Sequence, residues 1–291
     1  MITGKTRVFY MVADPIDQVR TPEIFNKVLP LCNIDAVMVP LHVTPENLTK
    51  TVRELFKSET TAGMVLSIPH KTDAAELVDS RSKIAATANA VNAIRRNKEG
   101  KLEGDLFDGV GFVKSLDRYN MPYESKRVLL IGAGGAGSAI AVSLAACKPA
   151  HISVYDPESQ RSVQLANSIE ASFGVSCIAA DNNDPAGFDV IINASPLGLK
   201  TSDPLPLPTE NISASAVVCD ILMKNQPTPL LKAALDGGSA VLPGFDMLIL
   251  QTPLFLEFFG LTEVADFLRK DDSEVRKMLF PSELTWMVET A

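Results

Sequence analysis

The sequence predicts an α/β protein with two parts: an N-terminal α/β part holding a mostly parallel sheet, and a Rossmann-like dinucleotide-binding part. Three observations carry this. Apolar strand-like runs alternate with helical patterns through the first hundred residues, the signature of βαβ units. A second such series begins near residue 127. Between its first strand and first helix stand three spaced glycines, Gly132, Gly134 and Gly137. In that setting G-x-G-x-x-G reads as a dinucleotide-binding turn.

The elements follow in order. Val8 to Val12 reads as a buried strand ending at the turn signal Asp14-Pro15. Thr21-Pro22-Glu23 then reads as an N-cap, a proline at N1 and a first-turn acid. That helix is expected to stop at Pro30. Strands are expected over Ile34–Pro40 and Ala62–Ile68, and helices over Pro45–Lys57 and Thr72–Val78. Ala90–Arg95 and Leu102–Gly104 read as short strands joined at Lys98-Glu99-Gly100, and Gly109–Arg118 as a linking helix. The polar segment 118–126 is the expected linker.

In the second part, Val128–Ile131 leads into the glycine turn, spanning Gly132, Ala133, Gly134, Gly135, Ala136 and Gly137. Gly132 permits the tight turn, Gly134 a close backbone approach by pyrophosphate, and Gly137 close helix packing. The helix N-terminus offers N–H groups and partial positive charge to phosphates. His151–Tyr155 is the next strand, and Asp156 ends it. A carboxylate there suits ribose hydroxyls and repels a 2′-phosphate, so NAD is expected over NADP, with NADP the alternative. Val190–Ile192 leads into Asn193-Ala194-Ser195, expected on the nicotinamide side. Val217–Ile221 and Ala240–Leu242 are further strands, with a helix over Thr228–Leu235 between them. Gly244 precedes the expected return to the first part, and 263–291 reads as helical.

Composition narrows the function. The 291-residue chain carries a net charge of −8, which disfavours nucleic acid. Its four cysteines lie far apart, so neither a disulfide framework nor a metal site is expected. The opening MITGKTRVFY has no long apolar run, and no later stretch approaches spanning length. A cytoplasmic enzyme with a small-molecule substrate is expected, with no membrane partner, as a monomer or homodimer. Polar residues at strand ends are the chemical candidates: Lys71 in SIPHK, Asn92 in AVNAI and Asp108 in LFDGVGF. Each also has a structural reading: a solvated lysine, a turn-closing asparagine, a helix N-cap.

The segments GMVLSIPHK, ANAVNAI, GDLFDGVGF, VLLIGAGGAGSA, INASPLGL, TPLLKAA and GFDMLILQ occur in this order across nearly the whole chain. That order resembles the shikimate/quinate dehydrogenase family. The resemblance implies a substrate-binding domain over 1–108 and 247–291, and an NAD(P)-binding domain over 109–246. It also implies a lysine–aspartate pair, which maps onto Lys71 and Asp108. Lys71 is assigned as general acid/base and Asp108 as orienter and hydroxyl ligand, because oxidising a secondary alcohol by hydride loss requires removal of its hydroxyl proton. Thr21, Ser67, Asn92 and Gln251 are the expected substrate ligands; Asn193, Ser195 and Gly244 join the glycine turn and Asp156 as cofactor residues.

The chain also departs from the family pattern. Two serines that bind the substrate carboxylate in the family are Val19 and Thr21 here; a tyrosine becomes Met223, and the threonine of N-T-D becomes Phe107. Each donor lost to a carboxylate costs about 1.5–3 kcal/mol, so shikimate itself is in doubt while the reaction type is retained. A related alicyclic hydroxy compound is expected. The alternatives are an NADP-dependent shikimate dehydrogenase of aromatic amino-acid biosynthesis and a non-catalytic nucleotide-binding sensor.

Overall fold

A computed structural model describes residues 2–289. The described residues divide into two units, one of residues 2–107 and 249–278 and the other of 108–248 with 279–289.

The first unit is built on β1 (Arg7–Ala13), α1 (Thr21–Leu31), β2 (Ala36–His42), α2 (Leu48–Leu55), β3 (Thr61–Leu66), α3 (Lys71–Ala75), β4 (Ser80–Arg81), α4 (Lys83–Ala88), β5 (Ala93–Arg96) and β6 (Leu102–Asp105). Its strand order is β2-β1-β3-β5-β6-β4. The pairings of β1 with β2 and β3, and of β4 with β6, are parallel; β5 is antiparallel to both neighbours. The sheet is therefore mixed, because the short Lys98-Glu99-Gly100 turn leaves no room for a crossover helix. Phe9, Phe25 and Phe259 form the aromatic centre, with Phe9 and Phe259 centroids 5.0 Å apart.

Several local expectations need correction. Pro30 lies inside α1 and does not stop it. Thr21 is the first residue of that helix; Arg20 occupies the N-cap, without a side-chain bond. β2 runs through Pro40 to His42, which an edge strand tolerates because its outer N–H groups need no partner. The helix expected from Pro45 begins as a 3₁₀ turn, Pro45–Asn47. The β4–α4 segment was not foreseen: two strand residues and a six-residue helix give too short a period to read. Segment 118–126 falls inside the second unit and is not a linker between units.

The second unit contains α5 (Asp108–Arg118), β7 (Arg127–Ile131), α6 (Gly135–Ala146), β8 (His151–Tyr155), α7 (Ser159–Phe173), β9 (Cys177–Ala179), β10 (Val190–Asn193), β11 (Val217–Asp220), α8 (Pro229–Asp236) and β12 (Ala240–Pro243). Its sheet is wholly parallel, ordered β12-β11-β10-β7-β8-β9. Leu129, Ile131, Ile191 and Val218 pack with Leu230, Leu231 and Val241 in one cluster. Strands buried on both faces explain the unbroken apolar runs VLLI and VII.

α9 (Phe245–Phe258) begins in the second unit and ends in the first; α10 (Thr262–Lys270), α11 (Ser273–Leu279) and α12 (Thr285–Glu289) follow. The closing segment groups with the second unit, where Phe280 stacks on Phe245 at 4.8 Å. This differs from the expected assignment of 247–291 to the first part. Residues 290 and 291, at the end of the expected terminal helix, lie outside the described residues.

Candidate active and cofactor sites

In the second unit the glycine turn sits at the carboxyl end of β7, in mid-sheet. Gly132 has φ of +99°, a region that favours glycine, and its N–H donates to Tyr155 O at 2.8 Å. A Cβ on Gly137 would overlap the Gly132 carbonyl oxygen, whereas a Cβ on Gly134 would meet nothing. Gly134 caps α6 without a side-chain bond. The N–H groups of that helix start are thus available to an anion. Gly134, Gly135 and Ala136 are half-buried, while Ala133 and Gly137 are buried.

Asp156 follows β8 and reaches back to this turn. Its Oδ2 accepts from Ala133 N at 2.7 Å and its Oδ1 from Glu158 N at 2.9 Å. The carboxylate both shapes the turn and keeps lone pairs for further donors. The turn-residue reading and the ribose reading are compatible.

The loop after β10 lies beside the turn, and the loop after β11 follows on the next strand. The Asn193 side chain, fully buried, donates to Leu197 O and Asp220 Oδ1, both at 3.1 Å. Its Oδ1 accepts from Ser195 N at 3.1 Å and Ser195 Oγ at 2.6 Å. Asn193 and Ser195 therefore shape the loop after β10. Met223 is half-exposed in the loop after β11. A Cβ on Gly244 would overlap the Ile221 carbonyl oxygen, so packing against that loop is reason enough for a glycine there. Asp108 opens α5 and is buried, 4% exposed. Gly109 beside it leaves no room for a Cβ against Ala139 O of α6.

In the first unit, the candidates gather at the carboxyl ends of β1 and β3. Ser67 N donates to Val12 O at 2.9 Å, and Asp14 N to Ile68 O at 3.0 Å. Lys71 is half-buried at the start of α3, and its carbonyl accepts from Val91 N at 2.9 Å. Asn92, which follows Val91, is buried. Its Nδ2 donates to Gln251 Oε1 at 3.1 Å, and its Oδ1 accepts from Phe107 N at 3.0 Å. Asn92 thus closes a turn and also fixes Gln251. Phe107 packs edge-on against Phe255 and Phe258 at 5.4 and 5.8 Å, an apolar contact that a threonine could not make.

Thr21 is buried at the head of α1, and Val19 is half-exposed before it. Arg20 pairs with Glu23 through Nε–Oε1 at 2.5 Å and Nη2–Oε2 at 2.7 Å. Sequence reasoning missed the contact of His42 Nε2 with Asp14 Oδ1 at 2.7 Å. Register could have found it, since His42 lies opposite Ala13 on paired strands. Lys71 belongs to one unit and Asp108 to the other. No group of acidic, cysteine and histidine side chains suited to a metal occurs among the described residues, nor is any helix there long and apolar enough to cross a membrane.

Residues 11–94 match the family model described as the shikimate dehydrogenase substrate binding domain. A shikimate dehydrogenase (NADP(+)) of Lysinibacillus sphaericus is 31% identical over 254 residues, covering 86% of this chain and 90% of that protein. The chain belongs to the shikimate dehydrogenase family. Among solved structures of similar shape, a shikimate dehydrogenase in complex with NADP+ superposes with a TM-score of 0.83 at 26% identity, covering 97% of this chain and 98% of that one. Ligand-free 5-ketofructose reductase of Gluconobacter sp. strain CHM43 gives a TM-score of 0.77 at 26% identity, covering 92% and 99%. Family membership fixes the fold class as a substrate domain followed by a Rossmann-like domain.

Proposed function

We propose that this protein is an NAD-dependent oxidoreductase that interconverts a secondary alcohol and a ketone on a shikimate- or quinate-like alicyclic hydroxy compound. The observation that carries the reading is Lys71, half-buried at the carboxyl end of β3 beside the buried Asn92–Gln251 pair. Ligands of open α/β sheets gather at such ends.

The first unit, with Thr21, Ser67, Asn92 and Gln251, holds the hydroxy compound. The second holds the dinucleotide: pyrophosphate on the open α6 N-terminus at Gly134, Gly135 and Ala136, ribose on Asp156. The bound nicotinamide supplies hydride transfer. Lys71 takes the hydroxyl proton on its Nζ during oxidation and returns it during reduction. Asp108 orients the reacting hydroxyl by accepting its hydrogen bond. Asp156 favours NAD, although the curated relatives are named for NADP(+); a 2′-phosphate would face its carboxylate. The protein acts in the cytoplasm, as a monomer or homodimer.

One observation favours a second reading of the substrate. Arg20 is spent on Glu23 and Val19 offers no donor, so an uncharged polyhydroxy ketone suits this end of the site better than a carboxylate. The resemblance to 5-ketofructose reductase supports that reading.

Steady-state turnover with NAD and NADP, against shikimate, quinate and uncharged ring polyols, decides among these. We expect higher kcat/KM with NAD, and shikimate a poor substrate. Better turnover with NADP overturns the Asp156 argument. Nucleotide binding without turnover of any alcohol would leave a nucleotide-binding sensor.

A further inference from the structure

Asp220 is the last residue of β11 and is 1% exposed. Three donors converge on its carboxylate. Oδ1 accepts from Asn193 Nδ2 at 3.1 Å and Leu222 N at 3.2 Å; Oδ2 accepts from Thr228 Oγ1 at 2.7 Å. No role in the reaction proposed above uses it. A buried carboxylate is costly unless it is hydrogen-bonded, so its presence calls for a reason.

The geometry supplies one. Asn193 is the last residue of β10, Leu222 belongs to the loop after β11, and Thr228 caps α8 by accepting from Leu231 N at 3.3 Å. One carboxylate thus pins both ends of loop 221–228 and ties it to loop 194–199. Asn225 Nδ2 repeats the tie at the rim, donating to Gly198 O at 3.0 Å and Leu199 O at 2.9 Å. Both loops stand at the carboxyl ends of adjacent parallel strands, and the one after β10 lies against the glycine turn, where Ala194 N donates to Ile131 O at 2.8 Å. Met223 rides on the clamped loop. We infer that Asp220 is a positioning residue, holding the Met223 loop in place for the reaction through Asn193 and Thr228. The inference rests on the oxidoreductase reading.

Its ionisation matters to this job. Burial pushes the Asp220 carboxyl up to about 6, against the opposing pull of Thr228, Leu222 and Asn193. The groups facing it from β10 and the α8 cap are uncharged. Pro243 is its register partner on β12, and the neighbouring titratable group on β11 is the Cys219 thiol, itself held neutral by burial. A proton on Asp220 turns one acceptor into a donor, and the three donors can no longer all be satisfied.

The test compares wild type with Asp220→Asn, Thr228→Val and Thr228→Ser. Loss of a hydrogen bond to a buried charge predicts about a tenfold fall in kcat for Asp220→Asn and Thr228→Val at neutral pH, with nucleotide Kd moved less than about twofold and Thr228→Ser close to wild type. The wild-type kcat profile should bend near pH 6, and that bend should vanish in Asp220→Asn. An unchanged profile in Asp220→Asn overturns the inference, as does a pH-independent loss that merely follows Tm. Hydrogen exchange of segment 221–228 in the wild-type protein, corrected for intrinsic rates, decides the matter if a variant fails to fold: exposure must rise below pH 6, and a flat response overturns it. If no alcohol is turned over, the oxidoreductase reading fails, while the exchange measurement still decides whether Asp220 holds the loop.

Discussion

Gly134 and Gly137 stand three residues apart in one turn and carry opposite constraints. A methyl on Gly137 collides with backbone, while a methyl on Gly134 meets open space. Gly137→Ala should therefore cost stability, about 1–3 kcal/mol or more as overpacking, read as a lowered Tm without nucleotide. Gly134→Ala should leave Tm nearly unchanged and weaken nucleotide binding, because its Cβ would stand where pyrophosphate approaches. Equal effects of both on Tm would remove the argument for an open anion site.

Asp156 and Lys71 also separate at this scale. Unit charges in contact near a protein surface interact by about 4 kcal/mol, and Asp156 is half-exposed, so screening reduces this. Asp156→Asn should raise the NADP-to-NAD ratio of kcat/KM about tenfold, measured at fixed ionic strength. Its bond from Ala133 can persist through the amide oxygen. Lys71→Ala should lower kcat by about 10²–10⁴-fold, as for a lost general acid/base, while nucleotide Kd stays put. A Lys71→Ala protein with normal turnover would refute the catalytic assignment.

Among the elements, α8 shows how a local signal serves a distant purpose. The sequence places the start of this helix at Thr228; in the structure Thr228 is its cap, ahead of the N1 proline Pro229, and its hydroxyl accepts from Leu231 N. The same hydroxyl donates to Asp220. Thr228→Val should thus exceed the roughly 1 kcal/mol of a lost cap, since a buried carboxylate also loses a donor; denaturant unfolding beside Thr228→Ser measures this. β5 and β6 show the reverse. Their existence was readable from two short segments joined at Lys98-Glu99-Gly100; the antiparallel sense follows from that turn's length, inside a sheet where β1 pairs in parallel with β2 and β3, and β4 with β6.

For the whole molecule, Asp220 makes stability depend on pH in a direction unusual for a carboxylate. Its folded value of about 6 lies above the ordinary 3.8. Between the two, the folded chain holds a proton that the unfolded chain has released, so stability falls as pH rises through this window and levels above it. The Tm of wild type minus that of Asp220→Asn should shrink by a few degrees from about pH 4 to about pH 7. A difference that grows would reverse the assignment. The proton relieves desolvation for the fold while costing the clamped loop one of its bonds.

Much of this protein was written in short windows. The glycine turn, the buried strand runs, the acid ending β8 and the order of Lys71, Asn92 and Asp108 all lie within stretches of a few residues, where strand and helix periodicity and turn chemistry act. The ordered motifs sufficed to suggest the family. Tertiary structure alone decided what those residues touch. Asn92 meets Gln251 across 159 positions, Asp246 accepts from Arg118 and Tyr119 across 128 and 127, and Asp220 gathers donors from three segments. No periodicity encodes such contacts. They exist because parallel strands bring their carboxyl ends together, so residues distant in sequence must satisfy one another's hydrogen bonds where water is excluded.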